Sequence, residues 1–215
     1  YNGGSIDNQG IDFNVLYNKQ YKNGGFFVGG NMLWAKNKII DLKEIAYKYA
    51  HQYRKGHSIG TRFGFETNGL YTHPDQLVNA PTGSFGSPVL GDIVYKNQNP
   101  EDDNVIDESD MVALGNSLPE IIFGATLGGN YKGFDIQCNL EGSSLFSTHY
   151  IPNKFTPYAY ENRWNPNDPA VQTAYPGLSI SREYNTQTSD FWQKKTSLLR
   201  ISSAEVGLSL IHISE

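Results

Sequence analysis

Hydrophobic and polar residues alternate strictly over several stretches of the chain. The clearest is YKGFDIQCNLEG, residues 131–142, in which every second position is apolar and the positions between carry two carboxylates and two amides. The apolar set is Phe134, Ile136, Cys138 and Leu140, and the polar set is Asp135, Gln137, Asn139 and Glu141. A period of two is that of a β-strand, whose successive side chains point to opposite sides of a sheet. This stretch therefore predicts a strand with one apolar and one polar face.

The same pattern predicts two β-hairpins. In the first, an alternating strand at residues 11–17 leads through Asn-Gly within Lys22–Gly25 to a return strand at residues 26–34, and Asn-Gly accepts the positive φ of tight turns. In the second, residues 121–127 alternate, a turn falls at residues 130–133, and the stretch quoted above returns. A last strand is predicted at residues 197–210.

Long connections separate these elements. Residues 39–56 predict a loop with at most a short helix, residues 72–92 are rich in Pro, Gly and Asn, and residues 145–189 form another Tyr- and Pro-rich span. Short turns alternating with long loops are typical of outer-membrane β-barrels, and so are strands of about ten residues. In a barrel the apolar set at residues 134–140 would face lipid and the polar set a watery lumen.

A soluble β-sandwich is the alternative, because its strands also alternate and bury their apolar side against a second sheet. The pattern alone leaves both open. Strand length favours the barrel, since sandwich strands are usually shorter. A sandwich would correspond to a secreted or periplasmic carbohydrate-binding module.

Composition narrows the function classes. The chain of 215 residues has 22 Gly, 13% aromatic residues and only 18% charged residues, which favours an all-β protein. The net charge of −5 and the lack of a basic stripe argue against nucleic acid as a partner. Cys138 is a single cysteine, so no disulfide framework exists within the chain. No apolar run reaches the length of a transmembrane helix.

Several motifs, taken in order, resemble the C-terminal region of SusC/RagA-type TonB-dependent outer-membrane receptors. They are GSIDNQGIDFNVLY, GHSIGTRFGFETNGLY, LGDIVYKNQNPEDDNVIDESDMVALGNSLPEIIFG, NRWNPNDP and DFWQKKTSLLRISSAEVGLSL, together with the YKGFDI strand. Each motif alone is weak, whereas their order and spacing over most of the chain are specific.

The resemblance implies that residues 1–215 are the C-terminal part of a 22-stranded transmembrane β-barrel of antiparallel strands with long extracellular loops. It implies energy-coupled nutrient import across the bacterial outer membrane, of an oligosaccharide in the first place and a peptide in the second. The expected partners are a SusD-like surface lipoprotein, outer-membrane lipid, and the TonB complex acting through N-terminal regions and a plug that these residues lack. The family pattern continues beyond VGLSL, so we expect Ile211–Glu215 not to be native strand.

The sequence NPEDDNVIDESD is the densest group of acidic residues. In a twelve-residue loop counted from Asn99, oxygen ligands at alternating positions suit Ca²⁺. The candidate ligands are Asn99, Glu101, Asp103, Asp107 and Asp110. The competing interpretation is a solvated acidic turn, because Asn99 lacks the charge of an aspartate at the first position. No other cofactor is indicated.

Aromatic residues in the loops are candidate binding residues. Tyr158, Tyr160, Trp164 and Tyr175 are interleaved with Asn and Arg, a composition that suits sugar stacking or a protein partner. Loop packing is the alternative. Trp34 and Trp192 fall at strand ends, where they would join either an aromatic girdle or a core. The histidines show no zinc-binding spacing, and no nucleophile elbow or phosphate-binding loop is present, so an enzyme is not expected.

Overall fold

The structure is a computed structural model that describes residues 3–101, 103–151, 153–168, 173–178 and 183–209. Nearly all of its regular structure is β. The strands are β1 (Ser5–Tyr21), β2 (Gly24–Asp41), β3 (Thr61–Gly64), β4 (Thr67–Leu70), β5 (Thr82–Gly83), β6 (Ile93–Tyr95), β7 (Val105–Ile106), β8 (Val112–Asn116), β9 (Ile121–Tyr131), β10 (Phe134–His149) and β11 (Gln193–Leu208). The helical segments are α1 (Pro157–Glu161) and the 3₁₀ turns Ala50–Gln52, Pro74–Leu77, Glu108–Asp110, Tyr184–Thr186 and Asp190–Trp192.

The five long strands form one antiparallel sheet in the order β1-β2-β9-β10-β11. Because neighbouring strands run in opposite directions, the two short turns lie at one end of the sheet and both long connections, residues 42–120 and 150–192, lie at the other. The remaining sheets have two strands each and belong to the connections. The sheet is open and does not close into a barrel within the described residues.

The two short turns differ in backbone geometry. The second uses Lys132 and Gly133, with φ of 50° and 89°, as expected for a tight hairpin. The first is formed by Lys22 and Asn23, since β2 already begins at Gly24. None of the described residues 22–25 has a positive φ, so the predicted turn is correctly placed but does not use Asn-Gly in the expected conformation.

The strand register aligns most apolar positions of the five strands on one face. One row runs from Tyr17 to Val28, Leu127, Cys138 and Ala204, each opposite the next. Cross-strand neighbours of this kind touch on the same face. We call this the apolar face, and the other side, which carries most of the Asn, Gln and charged residues of the strands, the polar face.

A β-bulge in β11 preserves this arrangement. Asn139 lies opposite Ser203 and Leu140 lies opposite Ile201, so Ser202 is the extra residue. The apolar residues of β11 change parity at this point, from Leu199 and Ile201 to residues 204, 206 and 208. Since a bulge inserts one residue into a ladder, it returns both sets to the apolar face.

The apolar face is not covered by a second sheet within the described residues. Val15, Ile136 and Val206 expose 51%, 61% and 78% of their surface. The described residues therefore do not form a sandwich, which would bury these side chains between two layers.

The main buried core lies in the two connections, which pack together. We call their described residues the loop unit. Its core is aromatic and consists of Phe65, Ile93, Tyr95, Ile106, Ala159, Tyr175, Tyr184 and Trp192. Both connections contribute, so neither buries its aromatic residues alone.

Element ends differ modestly from the predictions. Strand β10 extends to His149, so the second connection begins later than predicted, and β11 begins at Gln193 and ends at Leu208. The loop predicted at residues 39–56 begins only after Asp41, because β2 continues to that residue, and it contains the 3₁₀ turn Ala50–Gln52. Ile211–Glu215 lie outside the described residues. In the part of the chain that is described, no helix has the length and apolar character needed to cross a membrane.

Candidate ligand-binding surfaces

A groove of about 680 Å³ lies against the polar face across β9, β10 and β11. Its polar lining consists of side chains from four strands. They are Asn31, Thr126, Asn139, Glu141, Ser143, Arg200 and Ser202. Alternation places these side chains on one side of the sheet, and the register of β10 with β11 brings Glu141 opposite Arg200. The groove therefore offers donors and acceptors of both charges to a polar ligand.

Glu141 and Arg200 form the charged centre of this groove. Arg200 donates from Nη2 and Nε to Glu141 Oε2 at 2.8 and 3.2 Å, and Ser202 Oγ donates to Glu141 Oε1 at 3.0 Å. Both charged side chains are more than half exposed. An ion pair this exposed contributes little to stability, because water screens it. Because both groups are accessible, the carboxylate and the guanidinium could each form a hydrogen bond to a ligand in place of the one between them.

A second groove, of about 410 Å³, crosses β1, β2 and β9 on the same face. It passes over Gly29 and Gly124, where the absence of side chains leaves the backbone accessible. A Cβ at Gly124 would come within 2.8 Å of Asn31 Oδ1. A glycine at that position thus leaves room for the Asn31 amide, which lines both grooves.

Above the sheet, Asn185 connects the two halves of the loop unit. Its Oδ1 accepts the Ile93 amide at 2.9 Å, while its Nδ2 donates to Asp92 Oδ1 at 2.9 Å and to the Gly177 carbonyl at 3.2 Å. Its own carbonyl accepts the Trp192 indole N–H at 2.8 Å. One amide side chain therefore fixes both connections at their contact.

The aromatic core beneath this amide is closely packed. The ring of Phe85 lies 5.0 Å from that of Tyr184 and 5.5 Å from that of Tyr95, both edge-on. The Tyr95 hydroxyl donates to the Tyr184 carbonyl at 2.8 Å. Burial is the main reason that the pKa of Tyr95 is raised well above its usual range, because it disfavours the charged phenolate.

The four predicted loop aromatics do not form one surface. Trp164 and Tyr175 are buried, with 7% and 3% of their surface exposed, and they support the loop unit. Tyr158 and Tyr160 are 58% and 62% exposed. The guanidinium of Arg163 lies over the Tyr160 ring, 3.7 Å from its centroid. Contact of these residues with a ligand or partner stays a prediction, for which the two exposed tyrosines offer accessible rings.

An apolar groove of about 430 Å³ lies beside Tyr160. Phe155, Pro157 and Leu178 line it, and Lys154 and Glu161 stand at its margin. Phe155 is 69% exposed. The loop unit thus presents flat apolar surface on its outside as well as in its core.

Carboxylates of the acidic loop accept hydrogen bonds from backbone amides of the same segment. Asp110 is buried and accepts the Gln98 and Asp107 amides at 2.7 and 3.0 Å. Asp107 accepts the Ser109 amide, and Asp103 accepts the Val105 amide. Carboxylates that accept local amide hydrogens stabilise turns of this kind.

The five predicted Ca²⁺ ligands differ in burial and in hydrogen bonding. Asn99 is half-buried, with its amide group 3.5 Å from the Ser109 carbonyl, and Glu101 is exposed. Among the described residues, no group of three or more His, Cys, Asp or Glu side chains is arranged to hold a metal ion. Ca²⁺ binding at this loop stays a prediction, and hydrogen bonds to backbone amides account for Asp103, Asp107 and Asp110.

Sequence reasoning missed Arg200, Ser202, Asp92 and Asn185. Arg200 and Ser202 lie on the polar side of β11, and alternation around Leu199 and Ile201 could have placed Arg200 there. Nothing in the sequence sets β11 beside β10, because 43 residues separate them between His149 and Gln193.

Comparison with known proteins agrees with this architecture. No protein-family model matches the chain. The chain is 25% identical over 189 residues to the TonB-dependent receptor P26 of Formosa agariphila, an alignment that covers 78% of this chain and 19% of that protein. It therefore spans about a fifth of the length of this curated relative.

Solved structures of the RagAB peptide importer share the fold. The open-open state superposes with a TM-score of 0.64 at 16% identity, covering 94% of this chain and 22% of that chain. A further structure of the RagAB peptide transporter gives a TM-score of 0.65 at 16% identity with the same coverage. The resemblance to SusC/RagA-type TonB-dependent receptors is confirmed, and the sheet is an all-β, antiparallel segment with the fold of these barrels.

Proposed function

We propose that this chain is the C-terminal barrel segment of a TonB-dependent transporter of the bacterial outer membrane, one that imports a large polar nutrient and is not an enzyme. The observation that carries this proposal is the register of the five-stranded sheet. It places most apolar side chains of the five strands on one exposed face and most of their hydrogen-bonding side chains on the other.

The height of the apolar face fits a membrane. It extends on β1 from Tyr21 at the short turns to Ile11, above which Gln9 and Asp7 follow. Ten residue steps cover about 34 Å along a strand, which at a tilt near 40° is a rise of ~26 Å, against ~25 Å for the apolar band of outer-membrane barrels. Lipid would cover the exposed apolar side chains, as no second sheet does.

The transport mechanism follows from the two sides of the sheet. The polar face would line the lumen, where Glu141, Arg200 and their neighbours would bond the polar groups of a passing nutrient. The loop unit would hold the nutrient at the outer mouth, with a SusD-like lipoprotein covering it. A plug and the TonB complex, acting through N-terminal parts of the whole protein, would supply the energy-coupled opening.

Two nutrient classes fit the polar groove. An oligosaccharide would use the amides and exposed tyrosines, and a peptide would use the same amides together with the Glu141–Arg200 pair for its charged groups. The name of the RagAB peptide importer favours the peptide. Uptake of labelled peptides and labelled oligosaccharides by cells with and without the full-length protein would decide between the two.

Arginine substitutions on opposite faces of β1 test the membrane assignment. Val15→Arg would place a cation mid-way up the apolar face, at a cost of about 2–4 kcal/mol in a bilayer. Leu16→Arg, the matched control, would place the same side chain on the polar face. We expect outer-membrane fractions of cells expressing the full-length protein to lose Val15→Arg and to retain Leu16→Arg. Equal retention of both variants would contradict the proposal.

A further inference from the structure

A lysine interrupts the apolar face near the short turns. Lys19 lies on this face between Tyr17 and Tyr21, directly opposite Phe26. The alternating pattern of β1 predicts an apolar side chain at this position. A charged residue on a lipid-facing surface is costly unless it reaches the interface, so its presence there calls for a partner.

The Lys19 ammonium lies toward the turn end of the sheet. Its Nζ is 5.4 Å from the centroid of the Tyr21 ring, which in turn stacks on Phe26. The second hairpin repeats the arrangement, with Lys132 Nζ 5.4 Å from the centroid of the Tyr131 ring. Aromatic rings attract such cations through their negative faces.

The two turns are adjacent, so their charges add. The Lys132 amide donates to the Asn23 carbonyl at 3.1 Å, which places Lys22 of the first turn near Lys132 of the second. We call Lys19, Lys22 and Lys132 the turn-end lysines, and all three are exposed. In the three rows of the apolar face nearest the turns, no described residue is acidic.

The opposite end of the same face differs. Lys36 and Lys38 also lie on it, but Lys38 is opposite Asp7 and Lys36 is opposite Gln9. Lys38 therefore has a carboxylate across the strand pair. The turn end instead combines three positive charges with exposed Tyr21 and Tyr131, 57% and 61% accessible.

We propose that the turn-end lysines bind the phosphate of an anionic phospholipid in the membrane leaflet at the short turns. Tyr21 and Tyr131 would pack beside the head group, and the apolar rows above them would contact its acyl chains. The inference rests on the proposed membrane location. Lipid fits better than a soluble anion, because the cations stand at the edge of a continuous exposed apolar surface, where aromatic residues are enriched in membrane proteins.

Native mass spectrometry of the full-length protein, purified and delipidated in detergent, measures this binding. The probes are phosphatidylglycerol and phosphatidylcholine with identical acyl chains. Each lysine near an anionic surface contributes about fivefold in affinity, so Lys19→Gln with Lys132→Gln should weaken phosphatidylglycerol binding about 25-fold. Phosphatidylcholine binding should stay unchanged, and Lys19→Arg with Lys132→Arg should retain the phosphatidylglycerol affinity.

Lys36→Gln with Lys38→Gln is the matched control at the other end of the face, and we expect it to change the affinity less than twofold. An equal loss in both pairs, or no preference for phosphatidylglycerol in the unsubstituted protein, would overturn the inference. Fractionation of cells separates the two proposals. A protein that resides in the outer membrane without this preference contradicts only the lipid site, whereas a protein absent from the membrane contradicts both.

Discussion

Asn185 satisfies donors and acceptors from both connections of the loop unit, and no motif marks it in the sequence. It precedes Thr186 in a polar stretch that reads as ordinary loop. Its importance comes from contacts with Asp92 and Ile93, more than 90 positions away. Such residues are invisible to periodicity, because their role depends on how distant segments meet.

Removal of the Asn185 side chain should loosen the loop unit. Asn185→Ala leaves the Ile93 amide and the Asp92 carboxylate without this partner, and we expect a loss of about 1–3 kcal/mol in local stability. Hydrogen exchange at the Ile93 amide in the full-length protein measures it, with Asn104→Ala, an exposed asparagine outside the network, as control. Unchanged protection in Asn185→Ala would show that the two connections are held by other contacts.

The buried tyrosines predict sensitivity to alkaline pH. Burial raises the pKa of Tyr95 above its ordinary value of 10.0, and the pKa of Tyr71 and of Tyr175 is raised for the same main reason. A tyrosine whose pKa is higher in the folded protein than in the unfolded chain does not lower stability while the pH is below the unfolded pKa. Above that pH the unfolded chain releases the proton first, so the stability of the folded state falls. Above pH 10 the loop unit should thus lose about 1.4 kcal/mol of stability per pH unit from Tyr95, and Tyr71 and Tyr175 should act in the same direction.

Tyrosinate absorbance during an alkaline titration checks this expectation. The buried tyrosines should ionise together with loss of loop structure. In Tyr95→Phe one proton fewer is released on unfolding, so the free energy of unfolding should fall less steeply with pH. Ionisation of all tyrosines near their ordinary pKa, with the loop unit still folded, would contradict the assigned burial.

Residue type alone misjudged the loop aromatics. Trp164 and Tyr175 look like ligand-stacking residues in sequence, yet they are buried, while Tyr158 and Tyr160 are exposed. Trp192 is also part of the core rather than of a girdle, whereas Trp34 lies on the apolar face opposite Ile11. A core and a binding surface use the same aromatic residues, so only packing separates them.

Hairpins are the elements that sequence predicts best. Alternation gives the faces of residues 11–17, 26–34, 121–127 and 134–140, since a two-residue turn fixes the register of each pair. Strand ends are less well defined, because β10 and β11 continue beyond their apolar residues into polar ones. The bulge at Ser202 is detectable only as a change of parity between Ile201 and Ala204.

Deletion of Ser202 tests the role of the bulge. Without the extra residue, Leu199 and Ile201 would move to the polar face while residues 204–208 keep their side, or the register with β10 would shift by one. We expect the full-length deletion variant to fail to assemble in the outer membrane. Ser202→Ala is the matched control, as it removes only the hydrogen bond to Glu141 and should assemble normally.

Normal assembly of the Ser202 deletion would contradict this role. It would mean that β11 tolerates the charged Arg200 on the lipid-facing side, which is costly in a bilayer. The readout is the amount of heat-modifiable, folded protein in the membrane fraction.

At the scale of the whole molecule, sequence patterns give the two-sided strands but not their neighbours. The pairing of β2 with β9 spans the whole first connection, and that of β10 with β11 spans the second. The resemblance to TonB-dependent receptors supplied the arrangement that periodicity could not. The folding of both connections into one unit with a shared aromatic core was not predicted, because each connection reads as irregular loop on its own.

In the proposed transporter, the apolar face meets lipid and the polar face meets an aqueous lumen. Spin labels placed one at a time at residues 134–141 of the full-length protein in bilayers test it most directly, with Cys138 replaced by serine except when that position is labelled. Collision rates with oxygen and with a water-soluble nickel complex report lipid and water exposure. We expect high oxygen accessibility at positions 134, 136, 138 and 140 and low values between them. Uniformly low oxygen accessibility at those four positions would mean that protein, and not lipid, covers the apolar face.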